Sequence, residues 1–558
     1  MIPLSLTISL VVTALFCAVP STFSLSLEDP EGEKEETKPL PSSDTTYDKI
    51  KDYKKNLSQR PNIVLIFADD LGFADLGFSG HPNSRTPTID QLASNGRFFT
   101  NFYVSSPICS PSRASLLTGR LQVRSGVYPG TFTPDSTLGL PRNETTIAQL
   151  LSDKGYNTMI VGKWHLGVGV SKEYLPTHFG FDGYYGIPYS HDMCPCRTCF
   201  PEDGPCYDLC WQQDVSCPLF NNTDIIEQPA DLTTLTERYV NRALSFIDNA
   251  VAQKTPFFLY LPFHQVHHPQ FASKKFHNKS QRGRIGDALL ELDWAVQEIA
   301  TRLQNLGLLS STLIWFSSDN GPSLTRHERG GCAGLLRCGK GTTWEGGVRV
   351  PTFVHWPDYV KPGRTSALAS TFDVLPTIAK MTGIDTSNLT LDGIDISSLL
   401  WDPQATSPRE FVPIYPETPE RSLGPFAVRN DRYKAHFYTK GSDLSDASNY
   451  DPMCPGSHQL TLHDPPLLFD MQVDPGERYD LGKDPDYKNV IDLLVAWRKE
   501  HMANMTWIEA RTQTIDERSQ PCCTDNKCNP FPGCCDCPTN YHLNHIFGYN
   551  FQTILPID

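Results

Sequence analysis

The sequence predicts an α/β protein in which a large mixed, mostly parallel β-sheet is flanked by helices and followed by a smaller α+β C-terminal domain. Three observations lead there. Short apolar runs occur at Asn62–Phe67 (NIVLIF), Asn157–Val161 (NTMIV), Pro256–Leu261 (PFFLYL) and Thr312–Phe316 (TLIWF). Helical patterns lie between them, at Thr146–Lys154, Leu232–Asn249 and Gly286–Leu306. After about residue 420 the texture changes, with strand-like segments at Phe426–Tyr438 and Pro466–Met471 and one helical stretch at Lys488–Met502. Uniformly apolar strands alternating with helices indicate a parallel sheet buried on both faces. Strand-like segments separated by polar turns indicate antiparallel pairing.

In chain order, residues 1–24 read as a cleaved signal peptide: an apolar run at Ile2–Pro20 precedes small residues around Thr22 and Ser24. Residues 25–60, rich in Glu, Lys, Pro and Ser, read as an acidic disordered or propeptide-like segment. Residues 61–420 form the expected main domain and 421–558 the smaller one with its cysteine-rich tail. No later stretch reaches the 18 or so apolar residues of a spanning helix, so no transmembrane anchor is expected in the mature chain. With 48 Lys and Arg against 63 Asp and Glu, the formal charge of −15 disfavours nucleic acid as a general partner. Seventeen clustered cysteines point to an oxidising compartment. Sequons at Asn56, Asn143, Asn221, Asn278, Asn388 and Asn504 are candidate glycan sites there.

Ligands of open α/β sheets bind beyond the carboxyl ends of the strands. Each predicted strand runs at that end into polar groups: Asp69 and Asp70, Lys163 and His165, His264 and His267, Asp319 and Asn320. A lone Asp pair is usually a loop or cap feature. Four such ends on one edge fit a site better. Asp69, Asp70, Asp319 and Asn320 offer only oxygen, which suits a hard cation such as Ca²⁺ or Mg²⁺. Lys163, His165, His267 and Lys340 add cationic or proton-transferring groups, an inventory fit for an anionic tetrahedral substrate, sulfate or phosphate. Cys109 is the candidate nucleophile, since it lies where a loop enters a helix and is isolated from every cysteine cluster.

The run Cys109-Ser110-Pro111-Ser112-Arg113 followed by ASLLTGR resembles the signature of the type I sulfatases, in which the cysteine is oxidised to Cα-formylglycine. PNIVLIFADDLG, GKWHLGVG, GIPYSHD, SSDNGP and GLLRCGKGTTWEGGVR extend the resemblance from Pro61 to about Cys537. It implies an alkaline-phosphatase-like fold and a lysosomal hydrolase of sulfate esters, with sulfated galactolipids such as cerebroside 3-sulfate as the expected substrates and aryl sulfates as further ones. It makes Cys109 the formylglycine precursor and, with Asp69, Asp70, Asp319 and Asn320, part of the set around one divalent cation, Ca²⁺ ahead of Mg²⁺. Arg113 is expected to support the formylglycine hydrate. Lys163, Ser190, His267 and Lys340 are expected to hold the sulfate group, and His165 to contact the second hydroxyl. Implied partners are a formylglycine-generating enzyme, a saposin-type lipid activator, and a second copy in a homodimer that assembles further at acid pH. Extracellular residence is the alternative to the lysosome.

The resemblance also implies bonds Cys196–Cys210, Cys199–Cys206, Cys338–Cys454, Cys522–Cys535, Cys523–Cys537 and Cys528–Cys534. Cys194 could then pair with Cys217, leaving Cys332 free. Spacing alone leaves this connectivity open, and a zinc site in the tail is its rival. Two other functions stay in view: a phosphodiesterase or phosphonate hydrolase of the same superfamily, and a catalytically silent binding glycoprotein.

Overall fold

The computed structural model describes residues 60–194, 215–445, 454, 459–524 and 527–537. The expected signal peptide, the acidic segment, and the Cys196–Cys210 and Cys199–Cys206 bonds lie outside the described residues. The main sheet has ten strands: β1 (Asn62–Ala68), β2 (Arg97–Phe99), β3 (Asn157–Val161), β4 (Gly183–Gly186), β5 (Leu219–Asn221), β6 (Asp224–Glu227), β7 (Phe257–Pro262), β8 (Thr312–Ser318), β9 (Thr352–His355) and β10 (Gly363–Thr365). Their order is β10-β2-β9-β8-β1-β7-β3-β4-β5-β6. The central run β8-β1-β7-β3-β4 is parallel; β9 and the β5–β6 hairpin supply the antiparallel part of the mixed sheet.

All seven residues of β1 are buried. Ile63, Leu65 and Phe67 face one core, and Val64, Ile66 and Ala68 the other. That two-sided burial is why the strand reads as a continuous apolar run rather than an alternating one. Helices Leu232–Gln253 and Gly283–Asn305 bury apolar stripes against the second core. Helices Cys109–Thr118 and Val374–Met381 cover the first. Ala68 of β1 lies level with Ser318 of β8, and Phe67 with Pro262 of β7, so the loops after these strands leave from one edge.

A separate antiparallel sheet follows, formed by β11 (Phe411–Ile414), β12 (Ala427–Asn430), β13 (Tyr433–Lys440) and β14 (Leu460–Asp470). Helix Lys488–Asn504 packs on it through Ile491 and Leu494. β14 is longer than its apolar part, Pro466–Met471, suggests. Pro465 and Pro466 interrupt the strand signal, yet an edge strand tolerates missing N–H donors.

A buried ionic network joins this sheet to the main domain. Lys434 on β13 lies 3.0 Å from both Glu345 and Glu477, and His436 lies 2.7 Å from Glu477. Tyr103 donates to Glu345 at 2.8 Å, and the Glu345 backbone N–H donates to Glu477 at 2.7 Å. The Cys338–Cys454 disulfide is a second tie. Burial alone would raise the Glu477 carboxyl, but Lys434 and then His436 hold it well below its ordinary value. Such a carboxylate contributes stability above its unfolded pKa and loses it only as pH falls through the lower folded value. Lys434→Met is therefore expected to cost about 3–5 kcal/mol at neutral pH by stranding buried carboxylates. The penalty should shrink toward pH 4, where the orphaned carboxyl takes up a proton. Denaturant titrations at both pH values measure this, and a loss under about 1 kcal/mol at pH 7 would remove the network from its structural role.

Candidate active site

The carboxyl edge of the main sheet gathers the site. At the end of β1 the chain turns through Asp70 at φ 58°, a left-handed conformation that a short polar side chain tolerates better than a branched one. The turn is held by the Asp70 N–H donating to Asp319 Oδ1 at 3.1 Å and the Leu71 N–H donating to Ser318 Oγ at 3.0 Å. Asp69 and Asp319 are fully buried and Asp70 nearly so.

Cys109 opens the helix Cys109–Thr118, preceded by Ile108 in extended conformation. Its Sγ lies 3.6 Å from Asp69 Oδ1 and 3.7 Å from both Lys163 Nζ and Lys340 Nζ. Burial pushes the thiol pKa well up, and the two lysines do not offset it. The unmodified side chain is thus a neutral thiol, a poor nucleophile despite its place at a helix start. The next motif residues hold the neighbourhood together. Ser110 donates to the His165 carbonyl at 2.7 Å, and Arg113 donates to Asp319 Oδ2 through Nη2 at 2.7 Å and Nε at 3.1 Å.

Three buried carboxylates face three buried cations. Lys163 Nζ is 2.6 Å from Asp69 Oδ2, Lys340 Nζ is 2.6 Å from Asp70 Oδ1, and Arg113 Nη2 is 3.3 Å from Asp69 Oδ1 as well as on Asp319. Asn320 donates from Nδ2 to Asp70 Oδ1 at 2.8 Å and to the Gly321 carbonyl at 2.9 Å, while its Oδ1 is buried with no hydrogen-bond partner. An unsatisfied buried carbonyl oxygen beside three carboxylates is a donor set that fits a hard dication. The carboxylates of Asp69 and Asp70, the Cys109 sulfur and a His267 nitrogen also lie within 4.8 Å of one another.

Proton-transferring groups flank this cluster. His165, itself at φ 58°, has Nε2 3.0 Å from the Phe132 carbonyl and a buried Nδ1 with no partner. Burial, followed by Lys163 and Arg113, holds its pKa well below the usual value. His267 has Nε2 3.1 Å from Lys340 Nζ and 3.6 Å from Asp70 Oδ2; burial and then Lys340 lower its pKa in the same way. Both imidazoles are thus harder to protonate than a free histidine. Burial would lower the Lys340 ammonium, but Asp70, then Cys109 and Asp69, hold it well above its ordinary value. Ser190, after β4, accepts from Lys163 Nζ at 3.1 Å.

Of the strand-end and loop residues expected from the sequence, all but His264 meet in this cluster, although Lys340 comes from a loop with no strand before it. That loop is clamped from both sides. The Lys340 N–H donates to the Pro322 carbonyl at 2.9 Å, the Gly341 N–H to the Pro107 carbonyl at 3.0 Å, and the Gly339 N–H to Ser445 Oγ at 2.9 Å. Gly341 is required: its φ is +85° and a Cβ would sit 2.0 Å from Ser442 Oγ. His264 does not line the cavity; it lies behind it, packed edge-on against His191.

The cavity over Cys109 has a volume of about 190 Å³ and is also lined by Thr131, Asp192, His268, Arg326 and Glu417, which sequence reasoning missed. Asp192 was within reach, since it ends the GIPYSHD motif. The loops that bring Arg326 and Glu417 in carry no periodic signal. A larger hollow of about 810 Å³, bounded by Arg364, Arg409 and Arg432, holds none of the clustered groups.

The Sulfatase family profile matches residues 61–384, and that of the C-terminal region of aryl-sulfatase matches residues 407–537. Human arylsulfatase A is 48% identical over 489 residues, covering 86% of this chain and 96% of that protein. Bovine arylsulfatase A is 49% identical over 486 residues, covering 86% and 95%. Among solved structures, the PsFucS1 sulfatase of Pseudoalteromonas superposes with a TM-score of 0.71 at 27% identity over 84% of this chain and 95% of its own. The phosphonate monoester hydrolase of Agrobacterium radiobacter shares the fold, with a TM-score of 0.54 at 19% identity over 79% and 96% of the two chains.

If the oxygen cluster holds a cation, Ca²⁺ added to chelator-treated protein should raise the thermal midpoint, by about 2.7 kcal/mol of stabilisation at a hundredfold excess over Kd. Asn320→Ala should move the Ca²⁺ concentration needed for that effect upward by about tenfold or more. Calorimetry across a Ca²⁺ series, with Mg²⁺ in parallel, reads both. An unchanged response in the variant would exclude Asn320 from the set.

Proposed function

We propose, from the premise that the chain belongs to the sulfatase family, that this sulfuric ester hydrolase acts on sulfated galactolipids through a formylglycine made from Cys109. The observation that carries the proposal is the placement of residue 109, buried at a helix start with two lysine ammonium groups at 3.7 Å. The groups around it suit a hydroxyl-bearing side chain and an anion. Converted to formylglycine, residue 109 supplies a geminal diol, one hydroxyl to attack sulfur and one whose deprotonation releases the sulfate. Asp69, Asp70, Asp319 and Asn320, with residue 109 beside them, would hold a hard dication, which would supply positive charge to stabilise charge developing on the substrate.

The other steps fall to side chains. Lys163, Ser190, His267 and Lys340 bind and orient the sulfate, and Arg113 keeps Asp319 aligned with residue 109. Lys340, held protonated by Asp70, gives a proton to the departing alcohol oxygen with His267 beside it. His165, its pKa lowered by burial, takes the proton from the second hydroxyl at release. Charge balance supports a sulfate ester over a neutral substrate: with Asp192, Glu417 and Arg326 of the cavity wall counted, five carboxylates face four cations, and a bound dication would leave a surplus of one positive charge.

The galactolipid substrate is supported by the motif resemblance and by the identity to the arylsulfatase A proteins. The same resemblance supports lysosomal residence, a saposin-type activator, and a homodimer that assembles further in acid. Five disulfides among the described residues, Cys194–Cys217, Cys338–Cys454, Cys522–Cys535, Cys523–Cys537 and Cys528–Cys534, agree with folding in an oxidising compartment. They use the tail thiols that a zinc site would need. Cys109 and Cys332 are the free cysteines among the described residues, and no described helix is long and apolar enough to cross a membrane.

Mass spectrometry of the peptide containing residue 109, from protein made in a competent secretory host, should find the aldehyde or its hydrate. Cys109→Ser, which lacks the second hydroxyl, should lose multiple turnover of an aryl sulfate by several orders of magnitude. An unmodified thiol in active protein, or full activity in the serine variant, would overturn the mechanism. Turnover of aryl phosphate exceeding that of aryl sulfate would favour the phosphoesterase reading.

A further inference from the structure

We propose that Glu291, acting through Gln265, is a positioning residue that holds Asp69 and His267 in register across the site. The inference rests on the reading of the site given above. Glu291 lies on helix Gly283–Asn305, behind the sheet, and is 1% exposed; Thr236 on helix Leu232–Gln253 is 1% and Gln265 2% exposed. Glu291 touches no catalytic group.

The loop after β7 carries both ends of the argument. Its Gln265 carbonyl accepts from the Asp69 N–H at 2.8 Å, and the Val266 N–H donates to the Asp69 carbonyl at 2.7 Å. This reciprocal pair clips Asp69 to the residue next to His267. Since Asp69 has left β1 by this point, no strand pairing of its own fixes it. The clip is only as firm as Gln265.

The Gln265 side chain reaches away from the site and spends both amide hydrogens on the helix layer. Nε2 donates to Thr236 Oγ1 at 2.6 Å and to Glu291 Oε2 at 3.2 Å. Thr236 then donates its own hydroxyl to Glu291 Oε2 at 2.9 Å, and the Ser273 N–H donates to Glu291 Oε1 at 2.9 Å. Every donor in the triangle is matched, and only a residue with two acceptor oxygens can complete it. An amide at 291 would turn an NH₂ either toward Gln265 and Thr236 or toward the Ser273 N–H, setting donor against donor in a dry environment. Burial raises the Glu291 carboxyl pKa, and the hydrogen bonds from Ser273, Thr236 and Gln265 oppose that rise. No salt bridge to it is present among the described residues.

The test compares wild type with Glu291→Gln, nearly isosteric, and with Thr236→Val, which removes the hydroxyl while keeping the branched shape. Steady-state kinetics on an aryl sulfate should show kcat reduced about tenfold or more in Glu291→Gln, the scale of one misplaced buried hydrogen bond, with KM within about twofold. Hydrogen–deuterium exchange by mass spectrometry should show faster exchange in peptides spanning residues 66–72 and 263–270 of both variants. Exchange at β8, on the other side of β1, should be unchanged. Wild-type kcat in Glu291→Gln would overturn the proposal. So would faster exchange throughout the sheet, which marks general destabilisation, or no change in the two peptides. The exchange readout does not depend on the chemistry: absence of sulfate turnover by wild type would count against the proposed function, whereas unaltered exchange would count against Glu291.

Discussion

The structure depends on keeping six full charges buried at one edge of a sheet. Asp69, Asp70 and Asp319 face Lys163, Lys340 and Arg113, with Arg113, Lys163, Asp69 and Asp319 at zero exposure and Asp70 and Lys340 on the cavity wall. Burial of a single ion without a partner costs several kcal/mol, and paired ions repay it only when the geometry is good. The fold must therefore position every member. Within this cluster each carboxylate is matched by a cation of the protein, Asp69 by Lys163 and Arg113, Asp70 by Lys340 and Asp319 by Arg113.

The scaffold meets this demand in two ways. Parallel strands deliver Asp69, Lys163, His267 and Asp319 to one edge with fixed spacing, because register within the sheet is set by strands buried on both faces. Lys340 has no such support. It is held by backbone bonds to the loops that carry Cys109 and Asp319, and it is roofed by Ser442 and Ser445 from beyond β13. The Glu345–Lys434–Glu477 network ties that roof to the short helix Glu345–Val348, a few residues after Lys340. The C-terminal sheet thus helps to complete the site.

Those two modes of support explain what was legible in the sequence. Strand-borne residues announce themselves, since an apolar run followed by Asp-Asp or Asp-Asn gives both the element and the edge. Asn62–Phe67 and Thr312–Phe316 fall within β1 and β8, and the helix at Lys488 was placed to within two residues. Cys109 and Arg113 were legible because the CSPSR motif is compact and its helix continues from it. Short elements left no trace. β2, β9 and β10 have three or four residues each and owe their existence to neighbours rather than to their own pattern. Glu417 and Arg326 reach the cavity only through tertiary placement, and Glu291 looks like any acidic residue on a helix until Gln265 is found beside it. Periodicity encodes which face is buried; it does not encode which buried polar group meets which.

The ionisable groups also bear on how such a molecule lives with acid. Burial lowers the pKa of His355 and His501 to about 4, so each stays neutral when folded while its unfolded counterpart takes up a proton near 6.5. As pH falls below that value, these histidines favour unfolding. Buried carboxyls work in the opposite sense. Burial raises Asp293 to about 6 and lifts Asp75 as well, so between that range and the ordinary carboxylate value the folded chain binds more protons than the unfolded one. Stability from these groups rises as pH falls. The two sets act over overlapping windows and offset each other. The cost of neutral buried histidines is thus opposed by carboxyls that accept protons in the same pH range. The formal charge of −15 eases alongside them as surface carboxylates titrate.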